Sequence, residues 1–270
     1  MTNELRVVLG EYDTGWHDPA VSLQRAADLV QRAASHGAHL VALPEMCLSG
    51  FTMEPKDHAV GLDSPEVHAL GKIAASNGVH VLAGVAAREI VDGREVFQNT
   101  ALLFGPGGEL EASYRKQKLF AYANEHASYE PGEGSAVAMV RGVRISLFIC
   151  YDLRFPELFR AVAPWTDLIV VIANWPAARR PHWDALLPAR AIENLAYVAG
   201  VNRTGFANGI QYDGGSVAYD PWGEPAAQRM AVAAPSVVDV SAAHVACIRA
   251  KYPFLEDLVG HSSLAETANS

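Results

Sequence analysis

Three side chains have the types that covalent hydrolysis of a carbonyl compound requires: Glu45, Lys116 and Cys150. Each stands at or just beyond the end of a strand-like run, in AHLVALPE, ELEASYRK and VRISLFIC. Such strand ends are where catalytic groups gather in α/β proteins. A carboxylate can deprotonate a thiol and later return the proton to a leaving amine. A lysine can stabilise the oxyanion of the tetrahedral intermediate.

Each of these residues also has an ordinary interpretation when it is taken alone. A cysteine after an apolar strand is often a small core residue, a glutamate there is often a cap, and a lysine beside an arginine is often solvated. Cys47, two residues after Glu45, is predicted to be packing material. A Cys–His hydrolase is an alternative, with His182 or His126 as the partner, but neither histidine has a recognisable flanking signature.

The segments that must position these residues alternate between helix and strand patterns. Pro19 to His36 has apolar residues at helical spacing, and Ser64-Pro65 opens a second helix that ends at Asn77-Gly78. PELFRAVA and HWDALLPARAIENLA predict further helices, the second of which Pro188 could kink, and a last helix begins near Ala242.

Adjacent strand patterns also occur. Asp92-Gly93 separates VHVLAGVAARE from VFQNTALLFGP and is a strong hairpin signal, and Gly107-Gly108 makes another turn. DLIVVIANW, YVAGVNR, GSVAYDPWGE and APSVVDVS complete the strands. We therefore expect one α/β domain over residues 1–270, built as an α-β-β-α sandwich with mixed sheets. The hairpins break the strict βα alternation of a TIM barrel.

Composition excludes several classes of function. The net charge of -9 disfavours a surface for nucleic acid or anionic membrane, and no apolar run approaches the length of a membrane span. The N-terminus lacks a signal-peptide pattern, and three cysteines without a CxxC pair favour the cytoplasm. We find no HExxH motif and no tight His/Asp cluster, and GPGGE at 105–109 has the pattern of a turn. The sequence thus predicts neither a metal nor an organic cofactor.

Three motifs raise the significance of the three candidate residues. PEMCLSGF, YRKQKLF and ICYDLRFPE occur in this order and resemble the signatures of the nitrilase superfamily, the carbon–nitrogen hydrolases. The resemblance extends from Leu5 to about Gly223 and implies the same sandwich fold. It implies that Glu45 is the general base, that Lys116 stabilises the oxyanion, and that Cys150 forms a thioester. The backbone N–H of Tyr151 would be the second oxyanion donor.

The resemblance also implies a fourth residue, a glutamate that positions the substrate amide and the lysine. Glu125, in ANEHASYEPG, keeps the family's distance to Pro131-Gly132, and Glu130 is its competitor. One departure is Lys118, where the family often has histidine. This difference bears on the shape of the pocket rather than on the reaction.

The segments NWPAARR and FAYANEHASYEPG look most like the omega-amidase branch of the superfamily. That branch hydrolyses the terminal amide of 2-oxo dicarboxylic acids, such as 2-oxoglutaramate. Arg154, Arg179 and Arg180 could clamp the substrate carboxylate, although ordinary ion pairing is an equally good interpretation for each. The candidate substrate-binding residues are Phe51, Tyr129, Arg154, Asn174, Trp175 and Arg179.

Other functions use the same three residues. An N-carbamoyl amino acid or amine hydrolase and an aliphatic nitrilase are alternatives within the superfamily, and a catalytically silent binding protein is an alternative outside enzymology. The resemblance further implies a homodimer. RAKYPFLEDL lies in a C-terminal segment, about 242–270, that is expected to contact the second subunit.

Overall fold

The computed structural model describes residues 4–229 and 235–258 of the chain. In these residues the helices are α1 (Pro19–Ser35), α2 (Pro55–His58), α3 (Pro65–Asn77), α4 (Glu125–Ser128), α5 (Pro156–Val162), α6 (Arg180–Asn194) and α7 (Ala242–Lys251). The strands are β1 (Glu4–Leu9), β2 (Leu40–Ala42), β3 (Val60–Gly61), β4 (His80–Val91), β5 (Arg94–Phe104), β6 (Leu110–Arg115), β7 (Val137–Val140), β8 (Val143–Ile149), β9 (Leu168–Ala173), β10 (Tyr197–Asn202), β11 (Thr204–Ala207), β12 (Ile210–Asp213), β13 (Val217–Tyr219), β14 (Gln228–Arg229) and β15 (Ser236–Ser241). Of these helices, none has the length and apolar character that crossing a bilayer requires.

Two mixed sheets form the centre of the fold. The larger sheet has the order β14-β15-β1-β2-β4-β5-β6, with β3 beside β4, and the smaller sheet has the order β13-β10-β9-β8-β7. Parallel pairs lie at the centre of each sheet, and antiparallel strands flank them. The expected combination of βα units and hairpins is therefore confirmed, including the turn at Asp92-Gly93 that joins β4 to β5.

The order of the layers follows from the alternation of side chains along the strands. Leu5 and Leu9 of β1 share one core with residues of the smaller sheet, whereas Val8 belongs to the core beneath α1 and α3. On the far side of the smaller sheet, Phe159 of α5 and Trp183 of α6 are fully buried. The layers are helix, sheet, sheet, helix, so the predicted α-β-β-α sandwich is confirmed.

The ends of the helices follow the sequence signals. Asp18 Oδ1 accepts a hydrogen bond of 3.0 Å from the Val21 N–H at the start of α1. Ser64 caps α3 in the same way, and Gly78 ends it in the left-handed conformation at φ 62°. Helix α6 continues through Pro188 to Asn194, so the helix predicted there is correct.

The predicted strand before Glu45 is too long. Strand β2 ends at Ala42, because Pro44 has no N–H to donate and Met46 adopts a left-handed φ of 43°. The chain therefore bends at Glu45 and turns its carboxylate away from the sheet ladder. A similar shortening affects GSVAYDPWGE, of which only Val217–Tyr219 is a strand.

One hairpin was not predicted. Strands β11 and β12 pair antiparallel from Thr204↔Asp213 to Ala207↔Ile210. Asn208 and Gly209 form the turn with φ values of 48° and 74°, the backbone that Asn-Gly favours. This hairpin lies outside both sheets and contributes to the cavity described below.

Candidate active site

The candidate residues come together where the two sheets meet. Glu45 follows β2 and Lys116 follows β6 in the larger sheet, whereas Cys150 follows β8 in the smaller sheet. The main-chain N–H of Asn174, just after β9, donates to Glu45 Oε2 at 2.8 Å and so joins the sheets at this point. Lys116 and Cys150 directly follow the ends of their strands, as predicted, whereas Glu45 lies in the turn beyond the end of β2 at Ala42.

A lysine between two carboxylates is the electrostatic centre of the site. Lys116 Nζ donates to Glu45 Oε1 at 2.9 Å and to both oxygens of Glu125, at 3.0 and 2.9 Å. Glu45 and Glu125 are fully buried, and Lys116 is 1% exposed. Ionised groups without water must be satisfied by one another, and here every lysine hydrogen has a carboxylate acceptor.

The geometry distinguishes the two candidate glutamates. Glu125 opens α4, contacts Lys116, and accepts a hydrogen bond of 2.6 Å from the Phe120 N–H. Glu130 instead forms an exposed ion pair with Arg94, and this pairing lowers the pKa of Glu130. Only Glu125 of the pair is therefore placed to act on the buried lysine.

Sequence reasoning missed Asn99, a fourth polar member of this cluster. It lies on β5, is fully buried, and donates from one Nδ2 to Glu45 Oε1 at 2.7 Å and to Glu125 Oε1 at 2.9 Å. In the sequence it appears only as a polar residue inside the apolar run VFQNTALLF. That interruption is the one signal that could have identified it.

Cys150 lies at a sharp bend between strand and helix. Its φ is 45°, and it opens a short 3-10 helix over Cys150–Arg154. Asp152 fixes this turn, because Oδ2 accepts from the Ile149 N–H at 3.0 Å and from the Tyr114 hydroxyl at 2.9 Å. The N–H of Tyr151 belongs to the first turn of this 3-10 helix, whose donors have no acceptor within the helix. It is thus available to a substrate oxygen.

The local field keeps the thiol protonated at rest. Burial, followed by the negative charge of Glu45, raises the pKa of Cys150 well above its ordinary value. Burial alone would lower the pKa of Lys116, but the Glu125 and Glu45 carboxylates outweigh that effect and raise it. The site therefore holds a neutral thiol beside a permanent cation, and the thiol must transfer its proton as it attacks.

A cavity of about 160 Å³ opens onto Cys150. Of the residues proposed from sequence, those that line it with Cys150 and Tyr151 are Phe51, Arg154, Asn174, Trp175 and Arg179. Most of the remaining lining is apolar or aromatic, including Phe120 and Tyr212. A small cavity with a reactive thiol and two cationic side chains fits a compact anionic molecule.

The three candidate arginines differ in their partners. Arg180 is committed to ion pairs with Asp184 at 2.7 Å and Asp213 at 3.3 Å, and it does not line the cavity. The Arg154 guanidinium lies over the Trp175 ring and contacts His182 Nδ1 at 2.9 Å. The Arg179 guanidinium lies 5.0 Å from the Phe120 ring centroid. In the described part of the chain, no carboxylate pairs with Arg154 or Arg179.

Tyr129 was expected in the cavity wall, and its placement differs. The side chain is 3% exposed, packs with Met46 and Phe97, and donates its hydroxyl hydrogen to the Thr52 carbonyl at 2.9 Å. It therefore supports the loop behind Phe51 and does not line the cavity. The reason is that α4 ends just before Tyr129, and the extended chain beyond directs the ring into this separate cluster.

The unpredicted hairpin supplies the missing part of the wall. Asn208, Ile210 and Tyr212 line the cavity from β11–β12 and its turn. Burial raises the pKa of Tyr212 to about 12, so its hydroxyl is neutral over the physiological range. The Asn208-Gly209 pair in the sequence was the signal that could have revealed this element.

The competing nucleophile and base have other surroundings. Cys47 is fully buried in the core beneath α1 and α3, and burial raises its pKa to about 12, as expected for packing material. The charged groups that act on Cys150 are Glu45, Lys116 and Glu125, whereas His182 contacts Arg154. This arrangement favours a carboxylate base over the Cys–His alternative.

The expectation of no tight histidine cluster needs one correction. The fold brings His17, Glu54 and His58 together, with ligand atoms within 4.8 Å of one another. The two imidazole rings are stacked, with centroids 3.4 Å apart and planes inclined by 22°. In-plane lone pairs of stacked rings do not converge on one point, so we assign no metal to this cluster.

Comparison with known proteins agrees with this geometry. The family profile described as "Carbon-nitrogen hydrolase" matches residues 7–248. Omega-amidase YafV of Escherichia coli K12 is 36% identical over 255 residues, covering 94% of this chain and 96% of that protein. The 2-oxoglutaramate amidase of Bacillus subtilis 168 is 33% identical and covers 81% of this chain and 83% of its own length.

Two solved structures extend the comparison to three dimensions. A CN-hydrolase superfamily protein from Xanthomonas campestris, with an arsenic adduct in its active site, has a TM-score of 0.84 and 35% identity. The match covers 94% of this chain and 97% of that one. An amidase from Nesterenkonia, solved as a double mutant with acrylamide, has a TM-score of 0.81 and 27% identity, with 98% and 97% coverage.

Proposed function

Since the chain belongs to the carbon–nitrogen hydrolase family and hydrolyses carbon–nitrogen bonds other than peptide bonds, we propose that it is an omega-amidase. Its substrate would be the terminal amide of a small 2-oxo dicarboxylic acid, with 2-oxoglutaramate as the reference compound. The proposal is carried by the buried Glu45–Lys116–Glu125 cluster beside Cys150. Cys150 lies at a cavity that also contains two arginines, and among residues 4–229 and 235–258 neither arginine has a carboxylate partner.

The first half-reaction forms a thioester. Glu45 accepts the Sγ proton of Cys150 as sulfur attacks the amide carbon, and the carbonyl oxygen becomes an oxyanion. Lys116 Nζ and the Tyr151 N–H stabilise that oxyanion. The carbon–nitrogen bond then breaks, Glu45 returns the proton to nitrogen, and ammonia leaves. The acyl group remains on Cys150.

The second half-reaction uses the same groups with water. Glu45 accepts a proton from a water molecule whose oxygen attacks the thioester carbon, and the carbon–sulfur bond then breaks. The sulfur recovers the proton from Glu45, and the acid product leaves. Glu125 positions Lys116 in the resting site through two hydrogen bonds to Nζ, and it would also position the substrate amide.

The substrate preference rests on charge in the cavity. Arg154 and Arg179 face a cavity of about 160 Å³, while Arg180, the next residue, is neutralised by two aspartates. A planar guanidinium can bind a carboxylate with two parallel hydrogen bonds. An amide acid would thus place its amide at Cys150 and its carboxylate at the arginines. The omega-amidase and the 2-oxoglutaramate amidase among the relatives support the same class.

An ammonia-release screen tests this proposal. It compares 2-oxo acid amides, neutral aliphatic amides, nitriles and N-carbamoyl compounds on the wild-type chain. Cys150→Ala should abolish turnover, and Cys47→Ala, which removes a buried thiol away from the cavity, is the matched control. A flat response to 2-oxo acid amides would reject the substrate class. Full activity in Cys150→Ala would reject the mechanism.

Oligomerisation and location complete the proposal. A homodimer would cover exposed aromatic surface in the C-terminal part of the described chain, where Tyr252 packs against Trp222 and Phe254. Residues 259–270 of the expected contact segment lie outside the described residues. Light scattering on the wild type and on Trp222→Glu would test the dimer. We place the enzyme in the cytoplasm, where its three free thiols would stay reduced.

A further inference from the structure

One residue of the buried cluster has no role in the mechanism above. Asn99 contacts neither the thiol nor a bond that breaks, yet its Nδ2 bridges Glu45 Oε1 and Glu125 Oε1. Lys116 Nζ bridges the same two oxygens. The two carboxylates are thus linked twice, once by a cation and once by a neutral amide.

The orientation of this amide is fixed by chemistry. Only the nitrogen of an asparagine side chain can donate, and both of its hydrogens are used by carboxylate oxygens. In the described residues the other atom, Oδ1, is buried without a hydrogen-bond partner. An unpaired buried acceptor destabilises the folded state. The amide that bridges the two carboxylates is therefore present although its Oδ1 lowers the stability of the protein.

The lysine cannot hold the pair alone during the reaction. In the resting site all three Nζ hydrogens go to Glu45 and Glu125, so none is left for an oxyanion. Stabilising the oxyanion requires Lys116 to release at least one carboxylate oxygen, and that oxygen then loses one of the donors that hold it in place. A second donor that does not move would keep the carboxylates in place.

We infer that Asn99 is the positioning residue that holds the Glu45 and Glu125 side chains in place while Lys116 turns to the oxyanion. Its main chain supports the same function, because the Asn99 carbonyl accepts the Lys116 N–H at 2.8 Å. Asn99 therefore fixes the lysine backbone and both carboxylates from one position on β5. The inference rests on the proposed function, since it concerns the same thioester chemistry.

The test uses two substitutions that keep the number and branching of the side-chain heavy atoms. Asn99→Leu removes both donors, and Asn99→Asp replaces the amide by a third acid. The loss of the bridge should lower kcat for an amide substrate by roughly 10- to 150-fold at pH 7, which is the effect of losing one hydrogen bond to a charged acceptor in the transition state. KM should stay within about threefold, because Asn99 does not line the cavity.

The pH profile separates positioning from packing. The acidic limb of kcat/KM should move to higher pH by roughly one unit in Asn99→Asp, because a third acid disfavours an ionised pair. Thr100→Val is the matched control. Thr100 is the next buried residue on β5, faces the other side of the strand, and makes no contact with either carboxylate. A purely structural role for Asn99 would change stability and leave this limb unmoved.

The outcomes are distinguishable from failure of the proposed function. If Cys150→Ala keeps its turnover, the proposed function fails whatever Asn99 does. If Cys150→Ala is inactive while both Asn99 variants keep kcat and the acidic limb within the range of Thr100→Val, only the inference about Asn99 is overturned. If Asn99→Leu does not fold, the isosteric Asn99→Asp, verified by its melting temperature, decides the question.

Discussion

Under the proposed function, replacing Arg179 by alanine should weaken the preference of the enzyme for amides that carry a carboxylate. The Arg179 side chain lies at the cavity against the Phe120 ring, so its removal leaves the thiol, the carboxylates and Lys116 in place. If Arg179 binds the substrate carboxylate as proposed, substrates that carry a carboxylate lose a binding partner in this variant, whereas neutral amides lose none. The ratio of kcat/KM for 2-oxoglutaramate to that for a neutral amide of similar length is therefore the quantity to measure.

The size of the effect follows from the contact that would be lost. A hydrogen bond to a charged partner contributes about 1.5–3 kcal/mol, and two charges 4 Å apart near a protein surface attract by about 4 kcal/mol. A loss of about 3–4 kcal/mol corresponds to a decrease in the ratio of roughly 150- to 900-fold. Arg179→Lys keeps the charge but not the planar pair of donors, so its ratio should be intermediate.

Arg180→Ala is the matched control, because it removes the neighbouring arginine that already pairs with Asp184 and Asp213. Both substrates should keep their kcat/KM values within about threefold of the wild type, in line with the small contribution of exposed ion pairs. Equal losses on both substrates in Arg179→Ala would refute the reasoning. So would a selectivity ratio that does not change.

Three further predictions follow from individual contacts. In Gly84→Ala, the new methyl group would stand 2.6 Å from Glu45 Cα, so kcat should fall by about tenfold or more while Cys150 still reacts with iodoacetamide. In a Cys247→Ala background the exposed thiol is absent, and the rate of Cys150 alkylation should still increase with pH above pH 9. The reason is that burial and the Glu45 charge raise the pKa of Cys150, and a plateau of the rate near pH 8 would contradict this. Burial raises the pKa of Asp152 to about 6, so this acid binds more protons folded than unfolded, and its contribution to stability is lost as pH rises from about 4 to 6. Urea titrations of the wild type and of Asp152→Asn give the difference between their free energies of unfolding. This difference should decrease by up to about 3 kcal/mol as the pH rises across that range, and a constant difference would contradict the raised pKa of Asp152.

The sequence was informative where local chemistry determines structure. The helical pattern from Pro19 and the pair Ser64-Pro65 predicted where α1 and α3 begin, and Asp18 and Ser64 make the capping hydrogen bonds at these two positions. Asp92-Gly93 predicted the turn between the long strands β4 and β5, which pair from Val81↔Phe104 to Val91↔Arg94. These features depend on residues within a few positions of one another, so the sequence alone contains the cause.

The rest depended on distance in space. Glu125 and Glu130 could not be distinguished by sequence, because the choice depends on whether Arg94 or Lys116 reaches each one. Arg179 and Arg180 are adjacent in the chain, and only the positions of Asp184 and Asp213 make one of them an ion-pairing residue. Tyr129 was expected to line the cavity and instead packs in a separate cluster with Met46 and Phe97, and this placement also depends on contacts between residues distant in sequence. Hydrophobic periodicity has no information on such pairings.

Asn99 could be predicted in part from the sequence and in part only from the fold. A polar residue on a strand buried on both faces must find hydrogen-bond partners there, so its position in VFQNTALLF already required other buried polar groups nearby. The nearest ones are the two carboxylates, which themselves need donors because they are removed from water. The cluster is thus mutually dependent: without Asn99 the carboxylates repel across one lysine, and without the carboxylates Asn99 would be an unpaired amide in a β-sheet. That dependence explains why a site in which Lys116 must move also contains Asn99, a donor that remains bound to both carboxylates.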